Sequence, residues 1–171
     1  MPHPGNPEAI ISAMRERGLS LAVAESLTGG DVCARLIDIP GASEVVRGGV
    51  VAYSNEVKAH LLGVDRQELD TLGAVTESVA IAMATGVKSA IEADRVADFG
   101  LATTGIAGPD PDPTTGQPAG LVFLAVSGPD GKVWTERLGL VGDRSQIRGA
   151  SVSLALGLLE HALELPPSGS L

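Results

Sequence analysis

Leu21-Ala22-Val23-Ala24-Glu25-Ser26-Leu27-Thr28-Gly29-Gly30 reads as a short buried strand that runs into a glycine-bearing turn, with a helix starting near Asp31. A strand end that feeds a helix N-terminus gathers N–H groups and partial positive charge in one crevice, which suits phosphates and developing oxyanions. Ser26 is the first residue there with a nucleophilic side chain. Gly29 and Gly30 let a ligand approach the backbone, and Thr28 is placed to cap the helix. The same residues also fit an ordinary strand-to-helix connection with a Ser/Thr cap, so the functional reading needs the rest of the chain.

On the N-terminal side, Ala9, Ile10, Ala13 and Met14 recur at helical spacing between charged residues, which predicts a helix over Pro7–Arg17 stopped by Gly18. Leu19–Ala24 is the first strand and Asp31–Asp38 the helix after the turn. Val45–Ser54 is rich in β-branched residues and holds the pair Gly48-Gly49, the mark of a bulge or a close approach. Asn55 fits an N-cap for a helix over Glu56–Leu62, which would bring Tyr53, Ser54, Asn55 and Lys58 to one corner. A short helix over Asp65–Leu72 and a long one over Glu77–Ala93 precede a central strand, Val96–Thr103. Thr104-Gly105-Ile106-Ala107-Gly108-Pro109 follows, then a proline-rich surface loop, Asp110–Pro118. Leu121–Ser127 and Lys132–Leu140 flank Gly128-Pro129-Asp130-Gly131 and read as a hairpin. Gly142-Asp143-Arg144-Ser145 opens a last helix running to about Glu164. The pattern predicts an α/β fold, three-layer α/β/α, with a mixed five- or six-stranded sheet. It also predicts a tail over 1–6, one domain over 7–164 and fraying over 165–171.

Composition narrows the function. A chain of 171 residues can bury about two thirds of its unfolded surface without staples. Hydrophobic residues make up 44% and aromatics 2%, so the core must be built from Ala, Val, Leu and Ile. A net charge of -9 opposes a phosphate-backbone footprint, so nucleic acid is not the expected ligand, whereas one or two placed arginines can still hold a small anion. The single cysteine, Cys33, excludes an internal disulfide and reads as a small buried hydrophobe. Residues 1–7 do not resemble a signal peptide and no run is long enough to span a bilayer, so a cytoplasmic protein with no membrane partner is expected. His3, His60 and His161 lack metal-ligand spacing, and Asp110 and Asp112 read as solvated carboxylates, so no metal and no cofactor are expected. No P-loop or dinucleotide fingerprint is present.

Ala24–Gly30, Gly48–Asn55 with Lys58, Gly73-Ala74-Val75, Thr104–Pro109, and Gly142-Asp143-Arg144 with Arg148, in that order, resemble the CinA C-terminal domain family. The likeness covers roughly residues 7 to 164. It implies a stand-alone nicotinamide-nucleotide amidohydrolase, which turns nicotinamide mononucleotide into nicotinate mononucleotide and ammonia by serine-centred amide hydrolysis. It further implies Ser26 as nucleophile, Lys58 as candidate base and Tyr53 as proton relay or lysine holder. Thr28, Gly29, Gly30, Gly48, Asn55, Thr104, Gly105, Ile106, Ala107 and Gly108 would surround the mononucleotide. Backbone N–H groups of Thr28–Gly30 or Gly105–Gly108 would receive the oxyanion, and Arg144 or Arg148 would clamp the 5′-phosphate. By analogy the partner expected is a second copy, in a homodimer or higher homo-oligomer. The alternative from another class is a non-catalytic nucleotide-binding or regulatory module with the same cleft. Leu27 stands where many relatives have cysteine, which argues against a thiol in the chemistry.

Overall fold

A computed structural model describes residues 3–92 and 94–166. The chain runs α1 (Pro7–Glu16), β1 (Leu21–Glu25), α2 (Asp31–Ile37), β2 (Val46–Val51), α3 (Asn55–Leu62), α4 (Arg66–Thr71) and α5 (Glu77–Ala90), followed by β3 (Phe99–Gly105), β4 (Leu121–Ser127), β5 (Val133–Gly139) and α6 (Arg144–Ala162). Most helix starts have a local cause. Side-chain oxygens of Asn6, Ser54, Asp65 and Thr76 accept N–H groups at the heads of α1, α3, α4 and α5, and Asp143 with Gln146 forms a reciprocal capping box on α6. Ser54, rather than Asn55, is therefore the cap of α3.

The head of α2 is built differently. Its N-cap is Gly30 at φ 104°, a left-handed conformation natural to glycine. The orphan amides are satisfied from the end of β1, where the Glu25 carboxylate accepts from Gly30, Val32 and Cys33 N–H groups at 2.9, 3.1 and 2.9 Å. Its charge also meets the positive end of the helix dipole. Thr28 is not the cap; its hydroxyl turns into the sheet and shares a 2.7 Å hydrogen bond with Thr103 Oγ1.

The sheet has five strands in the order β2-β1-β3-β4-β5, with β1 parallel to β2 and β3, and β4 antiparallel to β3 and β5. One core joins the sheet to α1, α2 and α6, and a second joins it to α3, α4 and α5, which makes the α/β/α layering. Strand residues alternate between these cores. Leu21, Val23, Leu101, Leu124 and Val126 face the α6 side, whereas Ala22, Ala24, Ala102 and Ala125 face the α5 side. The alanine face lets α5 sit close on the sheet, where a Cβ on Gly100 would collide with Ala84 O; α5 also sits close on α3, where a Cβ on Gly86 would collide with Leu62 O. No described helix is long and apolar enough to cross a membrane.

Several boundaries moved: β2 ends at Val51 instead of Ser54, α5 at Ala90 instead of Ala93, and β1 starts at Leu21 instead of Leu19. β3 starts at Phe99 instead of Val96, because the Asp98 carboxylate just before it is held by Ser20, accepting from its N–H and its hydroxyl at 2.8 and 2.7 Å. Residues 3–6, expected as a tail, lie along α6: Gly5 N–H donates to Ser153 O at 2.9 Å and Asn6 N–H to Glu160 Oε1 at 2.9 Å. The last helix stops at Ala162, and the fraying expected past Glu164 falls largely on residues 167–171, outside the described residues.

Candidate active site

β1, β2 and β3 are parallel, so their C-terminal ends reach one edge of the sheet, and the β5 end joins them there because Gly139 pairs with Leu121 at the start of β4. β1 lies between β2 and β3; the connection from β1 to β2 runs through α2 on one face of the sheet, and the connection from β2 back past β1 to β3 runs through α3–α5 on the other. Ligand crevices in open α/β sheets form at such a switch point. A cleft of about 380 Å³ opens there. It is lined by Ser26 and Leu27 after β1, Tyr53, Asn55 and Lys58 after β2, Ala74 and Val75 before α5, Thr104 and Gly105 at the end of β3, Ile106 to Gly108 and the loop Asp110–Pro113 after it, and Arg144 at the head of α6.

Ser26 and Lys58 meet at its floor. Ser26 N–H donates to Thr103 O at 3.0 Å, which locks the first residue after β1 onto β3. Lys58 lies on the inner side of α3, 1% exposed, with Nζ 3.2 Å from Ser26 Oγ. Nζ also donates to the Ala52 and Tyr53 carbonyls at 2.8 and 3.2 Å. Burial disfavours the ammonium and lowers its pKa from the ordinary lysine value of 10.5 to about 8, partly offset by the Glu56 carboxylate on the same helix. A neutral amine has two hydrogens and one lone pair. With both hydrogens taken by the two carbonyls, the lone pair is left for the Ser26 hydroxyl.

Tyr53 is 65% exposed and its hydroxyl accepts from Arg144 Nη2 at 3.3 Å; it meets Lys58 through its main-chain carbonyl, not through its hydroxyl. Arg144 Nη1 donates to Gly108 O at 3.0 Å, which fixes the guanidinium at the cleft mouth. Arg148 is absent from the lining. Its Nε and Nη2 donate to the Leu27 and Thr28 carbonyls, both at 2.8 Å, and Nη2 pairs with Asp31 at 2.6 Å. Of the two arginines, the cleft therefore has Arg144.

Several glycine and threonine positions also fall elsewhere. Thr28, Gly29 and Gly30 do not line the cleft: Gly30 N–H is spent on Glu25 and Gly29 N–H on Ser26 O at 3.2 Å, so the helix terminus expected to receive an anion is already filled by the protein's own carboxylate. Gly48 is mid-strand, paired with Ala22, and faces Ile91. Thr104, Gly105, Ile106, Ala107, Gly108 and Asn55 do line the cleft, although Ile106 N–H is committed to Leu121 O and Thr104 Oγ1 donates to Ala74 O at 2.7 Å. Among the described residues, the Leu27, Ala107 and Gly108 N–H groups have no hydrogen-bond acceptor.

The Asp110–Pro118 loop is folded on itself. The Asp112 carboxylate accepts from Thr114 N–H, Thr115 N–H and Thr115 Oγ1 at 2.9, 2.7 and 3.0 Å, and the Thr115 N–H chiefly holds its pKa below the usual carboxylate value. Gln117 Nε2 ties the loop to Val75 O at 3.0 Å. Among the described residues no three His, Cys, Asp or Glu side chains gather as a metal site. Cys33 packs beside Glu25, and burial together with that carboxylate pushes its thiol up to about 12, which leaves no thiolate at neutral pH.

Sequence reasoning missed Ala74, Val75 and the carbonyls of Ala52 and Tyr53. Main-chain acceptors carry no residue signature, whereas Gly73-Ala74-Val75 stands out in the sequence as a helix-opening motif and could have flagged the first two.

The model of the CinA C-terminal domain matches residues 6–163. A CinA-like protein of Frankia casuarinae is 44% identical over 162 residues, 95% of this chain and 36% of that protein. The chain spans little more than a third of the length of such curated relatives. Among solved structures, the competence/damage inducible protein CihA of Agrobacterium tumefaciens superposes with a TM-score of 0.83 at 37% identity, covering 95% of this chain and 98% of that one. A competence-damaged protein (CinA) superfamily protein of Klebsiella pneumoniae 700603 gives a TM-score of 0.85 at 31% identity, covering 92% and 95%. By sequence and by fold, this chain belongs to the CinA C-terminal domain family.

Proposed function

We propose that the chain is a nicotinamide-nucleotide amidohydrolase that converts nicotinamide mononucleotide and water to nicotinate mononucleotide and ammonia. The observation that carries this reading is the 3.2 Å contact between Ser26 Oγ and a buried Lys58 amine whose pKa burial lowers to about 8. At pH 7 roughly a tenth of such lysines are neutral, enough for general-base work.

In the proposed mechanism Lys58 takes the Ser26 proton as Oγ attacks the carboxamide carbon. The tetrahedral oxyanion is received by cleft N–H groups, with Leu27, Ala107 and Gly108 as the candidates, each donor contributing ~10²–10³ in rate. The C–N bond breaks as the Lys58 ammonium protonates the leaving nitrogen, releasing ammonia and leaving an acyl ester on Ser26. Water then gives one proton to Lys58 and attacks the ester; collapse returns that proton from Lys58 to Ser26 Oγ and releases the acid, whose remaining proton passes to the ammonia and leaves the carboxylate. Arg144 and Asn55, at the cleft mouth, hold the 5′-phosphate, Arg144 exchanging its bonds to Gly108 O and Tyr53 for phosphate oxygens.

The test is an ammonia-release assay on nicotinamide mononucleotide with purified protein and Ser26→Ala. Turnover by the wild type and none by a variant with unchanged melting temperature is the expected result. Ligand-induced thermal stabilisation without product in the wild type would overturn the enzyme reading in favour of a nucleotide-holding module.

A further inference from the structure

We infer that Arg148 is a positioning residue for Ser26, holding the turn behind the nucleophile by its carbonyls; the inference rests on the amidohydrolase reading above. The guanidinium spans two successive peptide units, Nε–H to Leu27 O and Nη2–H to Thr28 O, each at 2.8 Å, and Asp31 Oδ2 at 2.6 Å keeps the fork in place. A planar fork can hold two carbonyls and a carboxylate together; a lysine ammonium on a flexible stem lacks that fixed geometry.

The grip reaches the nucleophile through covalent geometry. Peptide units are planar and trans, so fixing Leu27 C=O toward Arg148 points Thr28 N–H to the opposite side. Fixing Thr28 C=O likewise orients Gly29 N–H, which closes the turn by donating to Ser26 O at 3.2 Å. From the other side β3 holds the same turn, through Ser26 N–H on Thr103 O and Thr28 Oγ1 on Thr103 Oγ1. Ser26 thus stands between a pin on β3 and a pin on α6. Arg144, one helical turn before Arg148, is the arginine that lines the cleft, whereas Arg148 is absent from the lining and spends its Nε and Nη2 on the turn and on Asp31.

The experiment compares Arg148→Met, Arg148→Lys and Asp31→Asn with wild type on nicotinamide mononucleotide and on its dephosphorylated analogue, nicotinamide riboside. A third arm measures the rate at which a fluorophosphonate reagent labels Ser26, which needs no carboxamide substrate. The expected result for Arg148→Met is a kcat fall of about a hundredfold on both substrates with little change in KM, the scale set by small misplacements of a reacting group. Labelling should slow by a similar factor. Arg148→Lys should fall between, and Asp31→Asn should stay within about threefold, since an exposed ion pair contributes little. A loss confined to KM for the phosphorylated substrate would make Arg148 a phosphate ligand and overturn the inference, as would unchanged kcat and labelling. Should Arg148→Met not fold, the Arg148→Lys pair of kcat and labelling rate decides in the same way. Should wild type hydrolyse neither substrate, the amidohydrolase reading fails on its own, and the labelling arm still decides the role of Arg148.

Discussion

Burying an ammonium costs free energy, and Lys58 shows what that cost is used for. At 1% exposure and a pKa of about 8 against 10.5 when unfolded, the unfolded chain binds this proton more tightly than the folded one. The penalty, about 3 kcal/mol, is fully present below pH 8 and lifts as pH rises toward 10.5. The stability difference between wild type and Lys58→Met, followed by urea melts, should therefore shift in favour of the wild type across that window and be flat below it. The same titration sets the chemistry: kcat/KM should rise with pH to a plateau above about 8, and Lys58→Met should remove the step together with the activity. The positions of Ser26 and Lys58 were legible from sequence because each follows a strand and precedes or enters a helix, whereas their pairing as nucleophile and base came only from the family resemblance. The role of Arg148 was not legible. Its partners are 120 and 121 positions away, and nothing in a helix-borne arginine says whether it faces a ligand or a carbonyl.

At the scale of elements, α5 illustrates how a small-residue face fixes distance. Gly86→Ala should destabilise by about 1–3 kcal/mol or more in a denaturant melt, because the added methyl meets the Leu62 carbonyl at the end of α3, and backbone yields less readily than side chains. That substitution also pushes on the helix that carries Lys58, so activity should fall further than stability alone requires. In the loop after β3, Asp112→Ala removes three accepted hydrogen bonds at once. Faster proteolytic nicking within residues 112–117 and a raised KM are expected, with kcat less affected. Strand and helix positions could be read from periodicity and breakers. Their ends shifted where a side chain from elsewhere took over, as Glu25 did at the head of α2 and Asp98 at the start of β3.

For the whole molecule, the -9 net charge predicts no measurable binding of duplex DNA at physiological salt, checked by fluorescence anisotropy with a labelled duplex; tight binding there would contradict the small-ligand reading. The layer order was legible because strands and helices alternate and aromatics are nearly absent. Which face of the sheet receives which helices was less so, since Ala22 and Leu21 differ only in size and size alone decides the distance of approach.

One consequence follows from that division. Leu27 is rooted in the α6-side core and its turn is gripped by α6, whereas Ala52 and Leu62, which bracket Lys58, are rooted in the α5-side core. The serine and the lysine are thus moored to opposite walls of the same sheet, and the 3.2 Å between them works as a feeler gauge across it. Hollowing either wall, by Leu156→Ala on one side or Met83→Ala on the other, should widen the gap and slow turnover, even though neither side chain lines the cleft.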